Sequence, residues 1–163
     1  IKNFLSPLLK GFHVGLLSDS GCPAVADPGA KMVALAHQNN IKVVPMTGPS
    51  SILLALMASG LNGQQFKFHG YLPSEKSERI KKIISIENES KKNNETQIFI
   101  ETPYRNAAVL AALLLSLHDN TRLAVCSHLS LPEMHIQSMR VAQWKRHPQA
   151  PDKTTPAVFA FGP

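Results

Sequence analysis

Apolar residues gather into short runs that alternate with longer stretches of helical spacing. Residues 13–18 (His-Val-Gly-Leu-Leu-Ser), 41–46 (Ile-Lys-Val-Val-Pro-Met) and 96–101 (Thr-Gln-Ile-Phe-Ile-Glu) are short, β-compatible runs. Each leads through a turn into an apolar-periodic stretch that opens beside a proline: Asp27-Pro28, Thr47-Gly48-Pro49 and Thr102-Pro103. Proline suits a helix's first position, where the backbone N–H has no intrahelical partner. Asp27 and Thr102 are good capping residues one position earlier. Each unit therefore predicts strand, tight loop, helix. The first helix, 29–39, is expected to bury Met32, Val33, Leu35 and Ala36 and to stop at Asn39-Asn40. The second, 50–59, is apolar nearly all round and is expected to be buried, with Gly60 as its stop. The third covers 103–118. Strands alternating with helices of this length predict βαβ units and a mostly parallel sheet.

The pattern changes near residues 61–65, Leu-Asn-Gly-Gln-Gln. Beyond it the chain predicts a strand at 66–70, a loop at 71–74 and an amphipathic helix carrying Ile80, Ile83 and Ile84. Further strands are expected at 121–126, 135–142 and 157–161. The fold class is therefore α/β, in two domains. Residues 1–63 would be the remainder of an α/β domain with a mostly parallel sheet, and residues 64–163 a mixed α/β domain.

Composition narrows the function classes. With 44% hydrophobic residues in 163, the chain is neither a disordered tail nor a low-complexity linker. Its two cysteines, Cys22 and Cys126, exclude a disulfide scaffold and a four-cysteine zinc site. No apolar run approaches the roughly 18 residues of a membrane span. The chain opens Ile1-Lys2-Asn3-Phe4, without an initiator methionine; no secretory leader is expected, and the chain is expected to be a piece of a longer protein. The net charge of +6 permits an RNA or other anionic partner without demanding one. Glu75–Lys92 holds six Lys/Arg and four Glu, more like a salt-bridged helix face than a polycation.

Ligands of open α/β sheets sit beyond the carboxyl ends of the strands. Three loops take that place: Ser18–Gly29, Thr47–Ser51 and Glu101–Arg105. The first packs small residues, two glycines and two prolines between a strand and a helix. Small residues let a ligand approach the backbone, and they equally suit a tight structural turn. Pro49–Ser51 begin a helix whose free N–H groups suit a carboxylate, or are simply capped by Ser50 and Ser51.

In chain order, Asp19-Ser20-Gly21-Cys22-Pro23 with Asp27-Pro28-Gly29, then Val43-Val44-Pro45-Met46-Thr47-Gly48-Pro49-Ser50-Ser51, Ala58-Ser59-Gly60-Leu61, the segment Phe66 to Pro73, and Ile98-Phe99-Ile100-Glu101-Thr102-Pro103-Tyr104-Arg105 resemble the tetrapyrrole methylase superfamily of S-adenosylmethionine (SAM) methyltransferases. Within it they are most similar to the branch that methylates a ribose 2′-hydroxyl of 16S ribosomal RNA. The resemblance is specific from about Val14 to Arg105 and looser to Pro163. It implies a two-domain enzyme with SAM in the cleft between the domains, a homodimer, ribosomal RNA as methyl acceptor and a cytoplasmic location, with no membrane anchor. The corresponding alternatives are a corrin- or porphyrin-type C-methyltransferase and a non-catalytic domain that keeps the fold. The family's amino-terminal strand is expected to precede Ile1, so the piece by itself is expected to be inactive and to self-associate.

Carried over by position, Gly21, Cys22, Val25 and Ala26 fall in the family's cofactor loop, Ser51 and Ile52 in its second cofactor segment, and Pro156, with Thr155, on a further contact. The family usually has Asp or Thr where this chain has Cys22. Glu101, Tyr104 and Arg105 match the second-domain motif. Tyr104 and Arg105 are expected at the substrate, although a Glu101–Arg105 ion pair that only fixes the loop fits as well. A ribose hydroxyl is a poor nucleophile, so a base such as Glu101, Asp19 or His128 would help. Where the ribosomal RNA branch shows an Arg-Glu-Leu-Thr-Lys run, this chain reads Cys126-Ser127-His128-Leu129-Ser130. No metal is expected, because the seven histidines show no H-x-x-x-H spacing. Trp144, beside Lys145, Arg146 and His147, fits a buried anchor better than an RNA-stacking ring.

Overall fold

The computed structural model describes residues 2–19 and 21–163. Ile1 and Ser20, the latter inside the expected cofactor loop, lie outside the described residues. The chain divides into two compact units, Ile1–Ser50 and Ser51–Pro163.

The first unit holds helices α1 (Lys2–Leu9) and α2 (Ala30–Gln38) joined by irregular chain. The sequence pattern placed no element on α1. α2 starts after Gly29, whose φ of 142° no other residue adopts readily, and a Cβ there would lie 2.7 Å from Leu16. It ends where Asn39 donates its side-chain amide to Leu35 O and Asn40 turns left-handed at φ 54°. The strands expected at 13–18 and 41–46 carry no ladder among the described residues. A β-run becomes a strand only against a neighbour, and its propensity is mostly a statement about that neighbour.

The second unit adds α3 (Ser51–Ser59), β1 (Phe66–Phe68), α4 (Lys76–Asn93), β2 (Thr96–Glu101), a 3-10 turn (Pro103–Arg105), α5 (Asn106–Ser116), β3 (Arg122–Ser127), β4 (His135–Arg140), α6 (Val141–Arg146) and β5 (Ala157–Gly162). The five strands form one sheet in the order β1-β2-β5-β3-β4. Only β1 and β2 are parallel, the pair bridged by α4; the other three pairings are antiparallel. The α/β class therefore stands, while the described sheet is mostly antiparallel, because β5 inserts between β2 and β3 against both.

Alternation along the strands supplies two apolar faces. Phe99, Leu123, Val125, Phe159 and Phe161 pack with Ile83 and Ile86 of α4, Val109, Leu110 and Leu113 of α5, and Val141 and Trp144 of α6. Phe99 stacks on Phe159 with ring centroids 5.4 Å apart. On the opposite face, Ile98, Ala124, Cys126, Val158 and Ala160 meet Ile52, Ala55 and Leu56 of α3. This packing explains why compactness divides the chain before α3, whereas the expected domain boundary lay after residue 63. α3 is not buried all round as expected: Leu53 and Met57 are 48% and 79% exposed. The apolar run expected as a strand over 135–142 stops at Arg140, since Val141 starts a helix that carries Trp144 into the core. There the fully buried indole donates to Leu123 O at 2.9 Å.

Candidate functional site

Glu101, Ala157 and Ser127 stand side by side across β2, β5 and β3, and His135 continues the row on β4. The loops that leave β2 and β3 and the loop that enters β5 therefore meet at one end of the sheet. Sequence reasoning placed Glu101, Tyr104, Arg105, His128, Thr155 and Pro156 on these loops, and the fold of the second unit gathers them at this end.

Glu101 is 1% exposed. Its Oε1 accepts from Thr102 N–H at 2.8 Å and from the Thr102 hydroxyl at 3.3 Å. Its Oε2 lies 3.2 Å from Arg105 Nη2 but outside hydrogen-bonding angles, so that contact is Coulombic more than directed. The same guanidinium donates to Leu72 O at 2.9 Å, Pro73 O at 3.0 Å and the Ser74 hydroxyl at 3.3 Å. Arg105 thus ties the end of β2 to loop 71–74. Tyr104, between them, is 77% exposed.

Two residues that the sequence reading passed over hold the loop before β5. Asn106, fully buried at the start of α5, donates its amide to Asp152 O at 3.3 Å and Thr155 O at 2.9 Å. Asp152 Oδ1 accepts from Thr154 N–H, the Thr154 hydroxyl and Thr155 N–H, all within 2.9 Å. These bonds, the Thr154 hydroxyl's first, hold the Asp152 carboxyl below its ordinary range. The only sequence signal was Asn106 directly after the Glu101–Arg105 motif. His128 stands at φ 53°, with Nε2 2.7 Å from the Thr155 hydroxyl and 3.4 Å from Asp152 Oδ2.

In the first unit, Cys22 Sγ lies 3.7 Å from Gly48 O and 3.6 Å from Pro49 O. The thiol is a weak donor, so this tie joins the loop to the Gly48-Pro49 turn loosely. Val25 N–H donates to Cys22 O at 3.1 Å. Ala24 and Ala26 adopt left-handed φ of 66° and 56°, an unusual and costly state for alanine that concentrates at ligand-binding turns. A Cβ built on Gly21 meets nothing within 4 Å, so its backbone is open. Val25, Ala26 and Asp19 are exposed. Ser51 and Ile52 begin α3 in the second unit, Ile52 turned into the core at 6% exposure.

The family model described as Tetrapyrrole (Corrin/Porphyrin) Methylases matches residues 4–144. The chain belongs to the tetrapyrrole methylase family. Among curated relatives, the Ribosomal RNA small subunit methyltransferase I of Vibrio cholerae is 35% identical over 136 residues, 83% of this chain and 46% of that protein. The protein of the same name from Halalkalibacterium halodurans is 36% identical over 129 residues, 79% of this chain and 43% of that protein. The chain spans about half the length of the curated relatives it matches. Among solved structures, the methyltransferase CobJ superposes with a TM-score of 0.65 at 16% identity, covering 99% of this chain and 69% of its own. At such identity the likeness is one of fold. Among the described residues no helix is long and apolar enough to cross a membrane, and no cluster of three or more His, Cys, Asp or Glu is placed to hold a metal.

Proposed function

We propose that this methylase chain is part of a SAM-dependent methyltransferase whose acceptor is a ribose 2′-hydroxyl of small-subunit ribosomal RNA. One observation carries the reading: the motif loops lie within the family match, and a relative 35% identical over 83% of this chain is named for that ribosomal subunit. The two-domain architecture, in which residues 13–18 and 41–46, unpaired among the described residues, would find parallel strand partners in the amino-terminal domain of the whole protein, belongs to the same proposal. So do a homodimer and a cytoplasmic setting.

Each unit, taken by itself, offers residues whose chemistry suits SAM. Gly21 offers open backbone, and the left-handed turns at Ala24 and Ala26 present a loop of small side chains beside Val25. Ser51 starts a helix whose free N–H groups suit a carboxylate, and Pro156 follows the fixed Thr155. When bound, SAM supplies an already activated methyl group on a sulfonium. What remains for the protein is alignment and the exclusion of competing water.

Within this proposal the Glu101 side chain, without exposed surface, serves as a positioning group for Arg105 and the 71–74 loop rather than as a base. Asp19, exposed in the first unit, keeps the candidate role of proton acceptor. Tyr104, exposed beside the fixed Arg105, is the side chain free to meet a substrate.

The test is methylation of small ribosomal subunits that lack the modification, using the full-length protein, with S-adenosylhomocysteine (SAH) added in thermal melts. Ribose methylation and a raised Tm are expected, since a ligand selective for the folded state must stabilise it. No stabilisation at millimolar SAH would refute the methyltransferase reading. Stabilisation with methyl transfer to a tetrapyrrole instead would move the acceptor to a corrin or porphyrin carbon.

A further inference from the structure

We propose that His128 is the positioning residue that sets the Thr155–Pro156 segment, and that SAM affinity depends on its contact with the Thr155 hydroxyl; this rests on the methyltransferase reading above. The loop from residue 147 to Pro156 carries the chain from α6 to β5. Its turn is closed internally by the Asp152 carboxylate. Two side chains from elsewhere then anchor it. Asn106 holds the backbone through the carbonyls of Asp152 and Thr155. His128 holds a side chain, with Nε2 2.7 Å from the Thr155 Oγ1.

The two anchors do different things. Asn106 fixes where the loop runs and leaves the χ1 of Thr155 open. Rotation about that bond exchanges a hydroxyl for a methyl on the surface next to Pro156. The Thr154 hydroxyl, at 3.4 Å, is too distant to choose between rotamers strongly. The imidazole chooses.

His128 is held in an uncommon state to do so. Its φ of 53° lies in the left-handed region, which costs a non-glycine residue energy and persists only where the surroundings enforce it. Ser130, in the same loop, is also left-handed at φ 71°. The imidazole's hydrogen-bond and ion-pair contacts among the described residues are those to Thr155 and Asp152, both on the β5 approach. Glu101, the carboxylate on the row of strand ends, is engaged with Arg105. The backbone turn after β3 therefore serves to aim this ring at that loop.

The variants separate the contact from the backbone. Asparagine tolerates left-handed φ, so His128→Asn keeps the turn and loses the reach. Thr155→Val keeps the shape and loses the hydroxyl, whereas Thr155→Ser keeps the hydroxyl. SAH affinity is measured by calorimetry on the full-length protein, with Tm in parallel. A single hydrogen bond predicts that His128→Asn and Thr155→Val each weaken SAH by up to about tenfold. Thr155→Ser binds as the parent does. The double variant His128→Asn/Thr155→Val binds no more weakly than either single variant, because both remove the same contact. Multiplicative losses in the double variant, or a loss with Thr155→Val but not with His128→Asn, overturn the proposal. The Thr155 χ1, read from NMR three-bond couplings to its methyl group, separates the two layers. Averaged rotamers in His128→Asn are expected, and a single unchanged rotamer there overturns the contact itself. A parent protein with no SAH affinity overturns the methyltransferase reading on which the cofactor role depends.

Discussion

Replacing Arg105 with alanine should destabilise the second unit far more than neutralising Glu101, although both changes break the same ion pair. The reason is what each leaves behind. Arg105→Ala strands a carboxylate that is 1% exposed and retains only Thr102 as a donor. Removing one partner of a buried pair costs about 3–5 kcal/mol, because the remaining charge is uncompensated. Glu101→Gln keeps an oxygen for Thr102, and the guanidinium left behind still donates to Leu72 O, Pro73 O and the Ser74 hydroxyl. That loss is about 1–2 kcal/mol. The double variant should be more stable than Arg105→Ala alone, since a buried amide strands no charge. Urea unfolding at neutral pH reads all three. The one tryptophan, Trp144, is fully buried in the same unit and reports the transition by fluorescence. Equal losses for the two single variants, or a double variant weaker than Arg105→Ala, would refute the reasoning. A Glu101→Gln enzyme that bound SAH normally but lost kcat would return Glu101 to the role of base.

Trp144→Phe should cost about 1–2 kcal/mol, the indole's hydrogen bond to Leu123 O plus a small void, as read by the shift in urea midpoint under circular dichroism. Glu75 caps α4 by accepting from the Ser77 hydroxyl and Glu78 N–H, and these bonds lower its carboxyl to about 2. A depressed pKa in the folded state stabilises above the unfolded value and is lost as pH falls through the folded one. The stability gap between the parent protein and Glu75→Gln should therefore be present at neutral pH and vanish as pH falls towards about 2. Burial pushes the Cys126 thiol up to about 11, so iodoacetamide at neutral pH should label Cys22 in the native protein and reach Cys126 only after unfolding, as peptide mass spectrometry reads directly.

Much of the secondary structure was written in local pattern. The run Thr96–Glu101 is β2 to the residue, because its apolar character and its proline-led exit mark both its ends. α2, α3 and β5 follow their predicted spans to within a residue or so, for the same reason of period and punctuation. The family motifs, too, are strings of neighbours, and so the chain showed its family before its fold. Pairing is another matter. Residues 13–18 have the composition of a strand and no ladder among the described residues, because a strand is a relation between segments that one segment cannot contain. The antiparallel insertion of β5 between β2 and β3 is set by which apolar faces close the two cores, a choice spread over the whole unit. The site follows the same division. Glu101, Tyr104 and Arg105 stood in a readable string, but the burial of Glu101 follows from the row it shares with Ala157 and Ser127. Asn106 and His128 became partners of the 152–155 loop only when the fold brought residues 46 and 27 positions away in the chain to hydrogen-bonding distance. Local chemistry sets what each residue can do, and long-range packing sets what it meets.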